Sequence, residues 1–145
     1  MAELTREEVA KLATQGGKLS QRDLRGLDLS NLVLEAIDFS RSDLTGCNLQ
    51  GAKLRGAVLR NASLREAFLA GADLRDANLD KAELDSANLD KANLTGTNLT
   101  RANLEGASLL EATLDGARLT NAELDSANLG KADLTGASLA HADRN

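Results

Sequence analysis

Leucine recurs at every fifth position from Leu19 to Leu139, and only Phe39 interrupts the series. Neither the 3.6-residue period of a helix nor the two-residue period of a simple strand produces this spacing. A fixed short period maintained over most of a chain is typical of a repeat architecture, in which each unit packs only against its neighbours. The pattern therefore predicts one solenoid.

A second apolar position precedes each leucine by two residues, and it is alanine from Ala52 to Ala142 except at Thr97. Two residues separated by one intervening residue point to the same side of an extended segment, so both are predicted to face inward. The other positions are rich in Gly, Asn, Asp, Ser and Lys, which are residues that favour turns. Each unit is thus predicted to form one short wall and one corner.

Several units follow one motif, for example Ala72-Asp73-Leu74-Arg75-Asp76 and Ala92-Asn93-Leu94-Thr95-Gly96. This motif resembles the Ala-(Asp/Asn)-Leu-X-X repeat of the pentapeptide-repeat family, over about residues 18–143. The resemblance implies an all-β fold, a right-handed quadrilateral β-helix with four units per coil and about six coils. The segment 82–99 recurs with few changes as 122–139, a shift of eight units that fits two whole coils.

The first 17 residues are predicted to form a separate cap on the β-helix of residues 18–145. Thr5 and Glu8 fit a capping box, Leu4 and Val9 fit a hydrophobic staple, and Gly16-Gly17 would end a short helix over residues 6–15. Three larger apolar residues replace alanine in the first coil, just under this cap: Leu27, Leu32 and Ile37.

The C-terminal end shows no comparable cap in the sequence. Four inward leucines of the last coil form a candidate dimer end: Leu124, Leu129, Leu134 and Leu139. The family resemblance implies a tail-to-tail homodimer, because members that dimerise commonly do so through this end. The alternative is that residues 143–145 cover the end of a monomer.

Composition narrows the function classes. Hydrophobic residues make up 42% of the 145 residues but aromatic residues only 1%, so stacked leucines must fill the interior. The net charge is −5, and residues 76–145 hold 12 acidic against 6 basic residues, which disfavours direct nucleic-acid binding. With neither a secretory signal nor a long apolar run in the sequence, we expect a cytoplasmic protein without membrane contact.

The sequence contains no recognisable catalytic or metal-binding constellation. Cys47 occupies an inward position, where a buried and inert thiol is expected, and His141 lies at a corner of the last unit without a recognisable partner. We therefore predict no enzymatic activity and no cofactor.

Two outward surfaces are candidate interaction sites. With four units per coil, the wall centred on Leu84, Leu104 and Leu124 carries five carboxylates and no Lys or Arg over that stretch: Glu83, Asp85, Glu105, Glu123 and Asp125. Phe68 and Leu110 form a candidate apolar contact on another wall.

These surfaces favour a protein-protein interaction or scaffold module whose partner the sequence does not name. The alternative is a DNA-mimicking modulator of DNA gyrase or another topoisomerase, because the quinolone-resistance members of the family bind gyrase in place of DNA. Those members are longer, have more extensive acidity and dimerise through a C-terminal segment without a counterpart here.

Overall fold

A computed structural model describes residues 2–144, which form one helix followed by a solenoid. Helix α1 spans Arg6–Thr14. Parallel single-residue β-bridges then join each position to its equivalent four units later, from Lys18 with Asp38 to Glu123 with Asp143. The chain is a right-handed quadrilateral β-helix of about six coils, as predicted, and coils spaced by ~4.8 Å make a rod on the order of 30 Å long.

The interior consists of the two predicted inward positions. The leucines at every fifth position from Leu19 to Leu119 and the inward alanines from Ala52 to Ala122 are almost fully inaccessible, and Phe39 is accommodated among them. Thr97 replaces an alanine, and its hydroxyl donates to the carbonyl of Leu74 at 2.8 Å. Cys47 is also buried, and burial raises the pKa of its thiol to about 11, so the thiol is protonated at neutral pH.

The unit around Leu79 shows why aspartate or asparagine precedes so many of the leucines. The amides of Asn78, Leu79 and Lys81 donate to carbonyls of neighbouring coils, and that of Ala82 donates to the carbonyl of Leu79 across the corner. The remaining amide, of Asp80, donates to the side-chain oxygen of Asn78 at 3.1 Å. An Asp or Asn before the leucine therefore accepts a hydrogen bond from the one amide of the unit that has no backbone acceptor.

The corners are tight turns in which the second residue after each leucine has a positive φ. Gly46 adopts 67° and Ala36 adopts 55°. A positive φ at the third position of a four-residue turn is the mark of a type II turn, which favours glycine. This geometry confirms the predicted corner positions, although most of them carry a side chain in this protein.

The N-terminal helix covers the first coil. Its predicted capping box is present: the amide of Glu8 donates to Thr5 Oγ1 at 3.2 Å, and the amide of Thr5 donates to Glu8 Oε2 at 2.7 Å. Val9 is fully buried against the core. The helix ends at Thr14, one residue earlier than predicted, and Gln15 forms its C-cap.

Arg6 extends this cap to the exposed backbone edge of the first coil. Its guanidinium donates to the carbonyls of Asp28 at 2.8 Å and Ser30 at 2.9 Å. In later coils the equivalent carbonyls accept amides from the preceding coil. In the first coil, the Arg6 side chain thus supplies the donors that backbone amides of a preceding coil supply elsewhere.

At the opposite end, the prediction that Leu124 belongs to an uncovered surface is wrong. Leu124 is only 4% exposed, because the following chain passes over it and Asp143 pairs with Glu123. Leu129, Leu134 and Leu139 are half-buried. Within residues 2–144 their amides make no backbone hydrogen bond, which leaves these three leucines as the open part of the end. The C-terminal Asn145 lies outside the described residues.

Candidate protein-interaction surfaces

The register of four units per coil assigns every outward residue to one of four walls, and two adjacent walls have opposite charges. The basic wall comprises residues 18–21 and their equivalents in each later coil, up to 138–141. Its net charge is +4, from the charged residues Lys18, Asp38, Arg41, Arg60, Asp80, Lys81, Arg101 and Arg118. The acidic wall comprises residues 23–26 and their equivalents up to 143–144, and its net charge is −6.

The acidic wall carries the five predicted carboxylates at two outward positions. Glu83 and Glu123 precede their leucines and are separated by Asn103, which bridges to both. Asp85, Glu105 and Asp125 follow their leucines in three successive coils. Glutamates 83, 105 and 123 are exposed, whereas aspartates 85 and 125 are half-buried. All five thus lie on one wall, as the period predicted.

Arginines form ion pairs with several carboxylates of the acidic wall. Arg65 Nε donates to Asp85 Oδ2 at 3.0 Å, so Asp85 belongs to an ion pair. Sequence reasoning missed this pair because Arg65 lies one coil before the acidic stretch. Similarly, Arg25 contacts Asp23 at 2.7 Å and lowers the pKa of that carboxyl through its side-chain hydrogen bond.

The uncompensated part of the wall is therefore smaller than predicted. Glu83, Glu105 and Glu123 form no ion pair with any residue that the structure describes. Two coils separate Glu83 from Glu123, so the three carboxylates fall within a patch about 10 Å tall. We call these three residues the acidic patch.

The two predicted apolar contact residues differ in exposure. Phe68 is 48% exposed and interrupts a column of polar side chains. Leu110 is only half-buried rather than exposed, because it leans on the bare backbone of Gly130 in the next coil, where a Cβ atom would be 3.1 Å from Leu110 Cδ1. The structure leaves Phe68 as the main apolar feature of this wall, with Leu110 contributing part of its side chain.

The basic wall contains a buried carboxylate between two arginines. The side chain of Asp80 is only 7% exposed, and its oxygens contact Arg60 Nη2 at 3.3 Å and Arg101 Nη2 at 3.0 Å. The repeat places Arg60 in one column with Asp80, but it gives no signal for Arg101, which lies on the adjoining corner and reaches back to the preceding coil. Asp80 thus belongs to a cluster of three charged side chains.

The described residues include no cluster suited to a metal ion. Over residues 2–144, no group of three or more His, Cys, Asp or Glu side chains is placed to hold a metal ion. His141 lies exposed at a corner with a φ of 57°. None of the helices in the described part of the chain has the length and apolar character needed to cross a membrane.

A model of pentapeptide repeats matches the chain in four overlapping segments, residues 23–61, 57–96, 87–124 and 97–140. Together these segments span most of the solenoid. The chain belongs to the pentapeptide-repeat family. This membership agrees with the resemblance of its units to the Ala-(Asp/Asn)-Leu-X-X motif, whose second residue has the hydrogen-bonding role described above.

Solved pentapeptide-repeat structures extend the similarity to whole chains. HetL, which is involved in heterocyst differentiation regulation in the cyanobacterium Nostoc sp. strain PCC 7120, is 26% identical with a TM-score of 0.50; the match covers 97% of this chain and 95% of HetL. QnrB1, a plasmid-mediated fluoroquinolone resistance protein, is 23% identical with a TM-score of 0.56, covering 90% of this chain and 83% of its own. At that identity QnrB1 shows the fold alone.

A third pentapeptide-repeat protein, from the thylakoid lumen of Arabidopsis thaliana, is 34% identical over 81% of this chain and 71% of its own, with a TM-score of 0.33. No curated protein matches the sequence of this chain. The comparisons thus establish the family and the fold, and the function must be inferred from the walls.

Proposed function

We propose that this pentapeptide-repeat protein is a non-enzymatic protein-protein interaction module that binds a basic surface of its partner through the acidic wall. The acidic patch, Glu83, Glu105 and Glu123, is the observation that carries this proposal. These carboxylates form no ion pair within residues 2–144, and the fold needs none of them, because other side chains occupy the same positions in other coils.

The backbone suits the wall for recognition. Almost every amide in the coils next to the acidic patch donates to a neighbouring coil or to a local turn. A partner that binds such a wall orders only side chains, so little backbone entropy is lost on association. Complementary charge also accelerates encounter and fixes orientation.

The proposal places the module in the cytoplasm, without a cofactor, and it includes a dimer formed through the open end of the rod. A second copy could pack on Leu129, Leu134 and Leu139, whose half-buried side chains form the open end. Analytical ultracentrifugation tests this part: a concentration-dependent dimer that Leu134→Lys abolishes supports it, and a monomer at high micromolar concentration contradicts it.

Modulation of DNA gyrase by DNA mimicry stands as the alternative function. A mimic of duplex DNA would present a continuous line of negative charges, whereas Arg25 and Arg65 interrupt this wall. The longest stretch of this wall without Lys or Arg comprises residues 83–86, 103–106 and 123–126, which hold the acidic patch. For that reason we rank a basic protein surface above gyrase, and the test below separates the two.

The test compares two triple variants with the same change in net charge. Glu83→Lys, Glu105→Lys and Glu123→Lys together reverse the acidic patch, whereas Glu35→Lys, Glu111→Lys and Asp115→Lys reverse exposed carboxylates on the other two walls. Each protein is immobilised, and the proteins retained from an extract of the native host are quantified by mass spectrometry. We expect basic proteins on the wild type and the control, reduced at least tenfold on the acidic-patch variant.

Equal retention by all three proteins would contradict the proposal. A supercoiling assay with purified gyrase and micromolar wild-type protein decides the alternative. Inhibition that the acidic-patch variant loses and the control keeps would assign the wall to gyrase. Circular dichroism must show that both triple variants remain folded.

A further inference from the structure

The basic wall bears a shallow groove. The groove crosses four coils, and arginines 60, 101 and 118 lie along it with Asp80 at its floor. Asn98 lies between them and bridges in register to Arg118. The four charged residues give the groove a net charge of +2 inside a chain whose net charge is −5.

Asp80 orients two of these arginines without using up their hydrogen-bonding capacity. Each of Arg60 and Arg101 contacts the carboxylate through a single Nη2 atom, and their side chains are 51% and 52% exposed. A guanidinium has five N–H donors in a planar fork. The other donors of both side chains therefore remain available to an additional acceptor, and the cost of ordering the arginines is reduced in advance.

Arg118 completes the groove as an unused cation. It is exposed, and no carboxylate within residues 2–144 lies within ion-pair distance of it. A carboxylate beside Arg118 would accept two parallel N–H donors from its planar guanidinium, the bidentate arrangement in which arginine binds carboxylates most strongly, and Arg101 lines the same groove. The groove thus has the chemistry of an anion site.

Two observations favour an acidic peptide over nucleic acid as the occupant. The chain has only two aromatic residues, Phe39 in the core and Phe68 on another wall, so the groove offers no ring on which a base could stack. The neighbouring acidic wall, with its net charge of −6, would also repel a long polyanion. A short run of Asp or Glu side chains needs no aromatic ring for stacking, and it is not a long polyanion that the acidic wall would repel.

We propose that the basic wall binds an acidic peptide segment of a partner protein, whose carboxylates are held by Arg60, Arg101 and Arg118. This site is separate from the acidic patch, so it goes beyond the function proposed above. The two adjacent walls together would recognise a partner that presents both an acidic segment and a basic surface.

The test measures the fluorescence anisotropy of a labelled hexaglutamate peptide titrated with the full-length protein in a low-salt buffer. Arg118→Glu should weaken binding at least tenfold, because it removes a cation from the groove and adds a repelling charge. Arg55→Glu is the matched control, since it makes the same charge change at an exposed arginine on a different wall. It should change the affinity less than twofold.

The outcomes are decisive in both directions. Binding that Arg118→Glu removes and Arg55→Glu retains supports the site, and so does retained binding by the acidic-patch variant. No binding by the wild type, or equal weakening by both arginine variants, overturns it. A labelled oligothymidylate of six nucleotides is titrated in parallel; tighter binding of this probe than of the peptide would assign the groove to nucleic acid instead.

Discussion

The basic and acidic walls are built on the same backbone and the same interior, yet their outward charges are +4 and −6. On the basic wall, Asp80 is buried between Arg60 and Arg101, so ion pairs within the protein orient three of the charged side chains of this wall. On the acidic wall, Asp85 is paired, but the acidic patch is exposed and forms no ion pair with the residues that the structure describes. The difference teaches that inward residues define the coil, whereas outward residues set the charge of each wall.

The largest expected effect tests whether the two walls share one interior. Leu79 and Leu84 are the buried central leucines of neighbouring basic and acidic wall units. Leu79→Ala and Leu84→Ala should each lower the free energy of unfolding by about 3 kcal/mol, because a cavity opens in a closely packed stack. Urea denaturation followed by circular dichroism measures this. If the losses in free energy of unfolding of the two variants differ by more than about 2 kcal/mol, the leucine packing behind the two walls is not equivalent.

An intermediate effect sharpens the contrast between the two paired aspartates. Asp80→Ala should lower the free energy of unfolding by about 2 kcal/mol, since it removes a nearly buried carboxylate that orients two arginines. Asp85→Ala should cost less than about 1 kcal/mol, because Asp85 is more exposed and forms one surface ion pair. The same denaturation experiment compares them, and a larger loss for Asp85→Ala would reverse the assignment.

The smallest expected effect is an acid sensitivity common to both walls. The hydroxyl of Ser40 donates to Asp38 on the basic wall and lowers the pKa of that carboxyl, and Arg25 lowers the pKa of Asp23 on the acidic wall. A carboxyl whose pKa is lower in the folded than in the unfolded state stabilises the fold above about pH 4, and this contribution is lost as the pH falls further.

Thermal unfolding between pH 7 and pH 2.5 checks this effect. Asp38→Asn and Asp23→Asn should each reduce the fall in Tm below pH 4, because asparagine does not titrate while its side-chain oxygen still accepts the local amide. If Tm falls below pH 4 as steeply in both variants as in the wild type, these two carboxyls do not contribute to the acid sensitivity.

The five-residue period allowed the fold, the inward residues, the corners and the placement of all five acidic-wall carboxylates to be predicted. It did not reveal contacts that depend on where long side chains turn. Arg65 reaches forward to Asp85, and Arg101 reaches back to Asp80, in each case across a coil boundary. Leu110 lies over Gly130 because glycine leaves room beside it. Such contacts depend on the rotamers of particular side chains, which a periodic pattern does not encode.

The constant coil of four units has a consequence for how such proteins change through insertion and deletion. Removing one unit would leave every following leucine inside, but it would rotate all later outward residues by a quarter turn onto the next wall. Loss of residues 87–91, for example, would move Arg101 away from Asp80 and place Glu105 on a different wall from Glu83. Only changes of a whole coil preserve these columns, so a family of rods with one core can acquire new surfaces in a single genetic step.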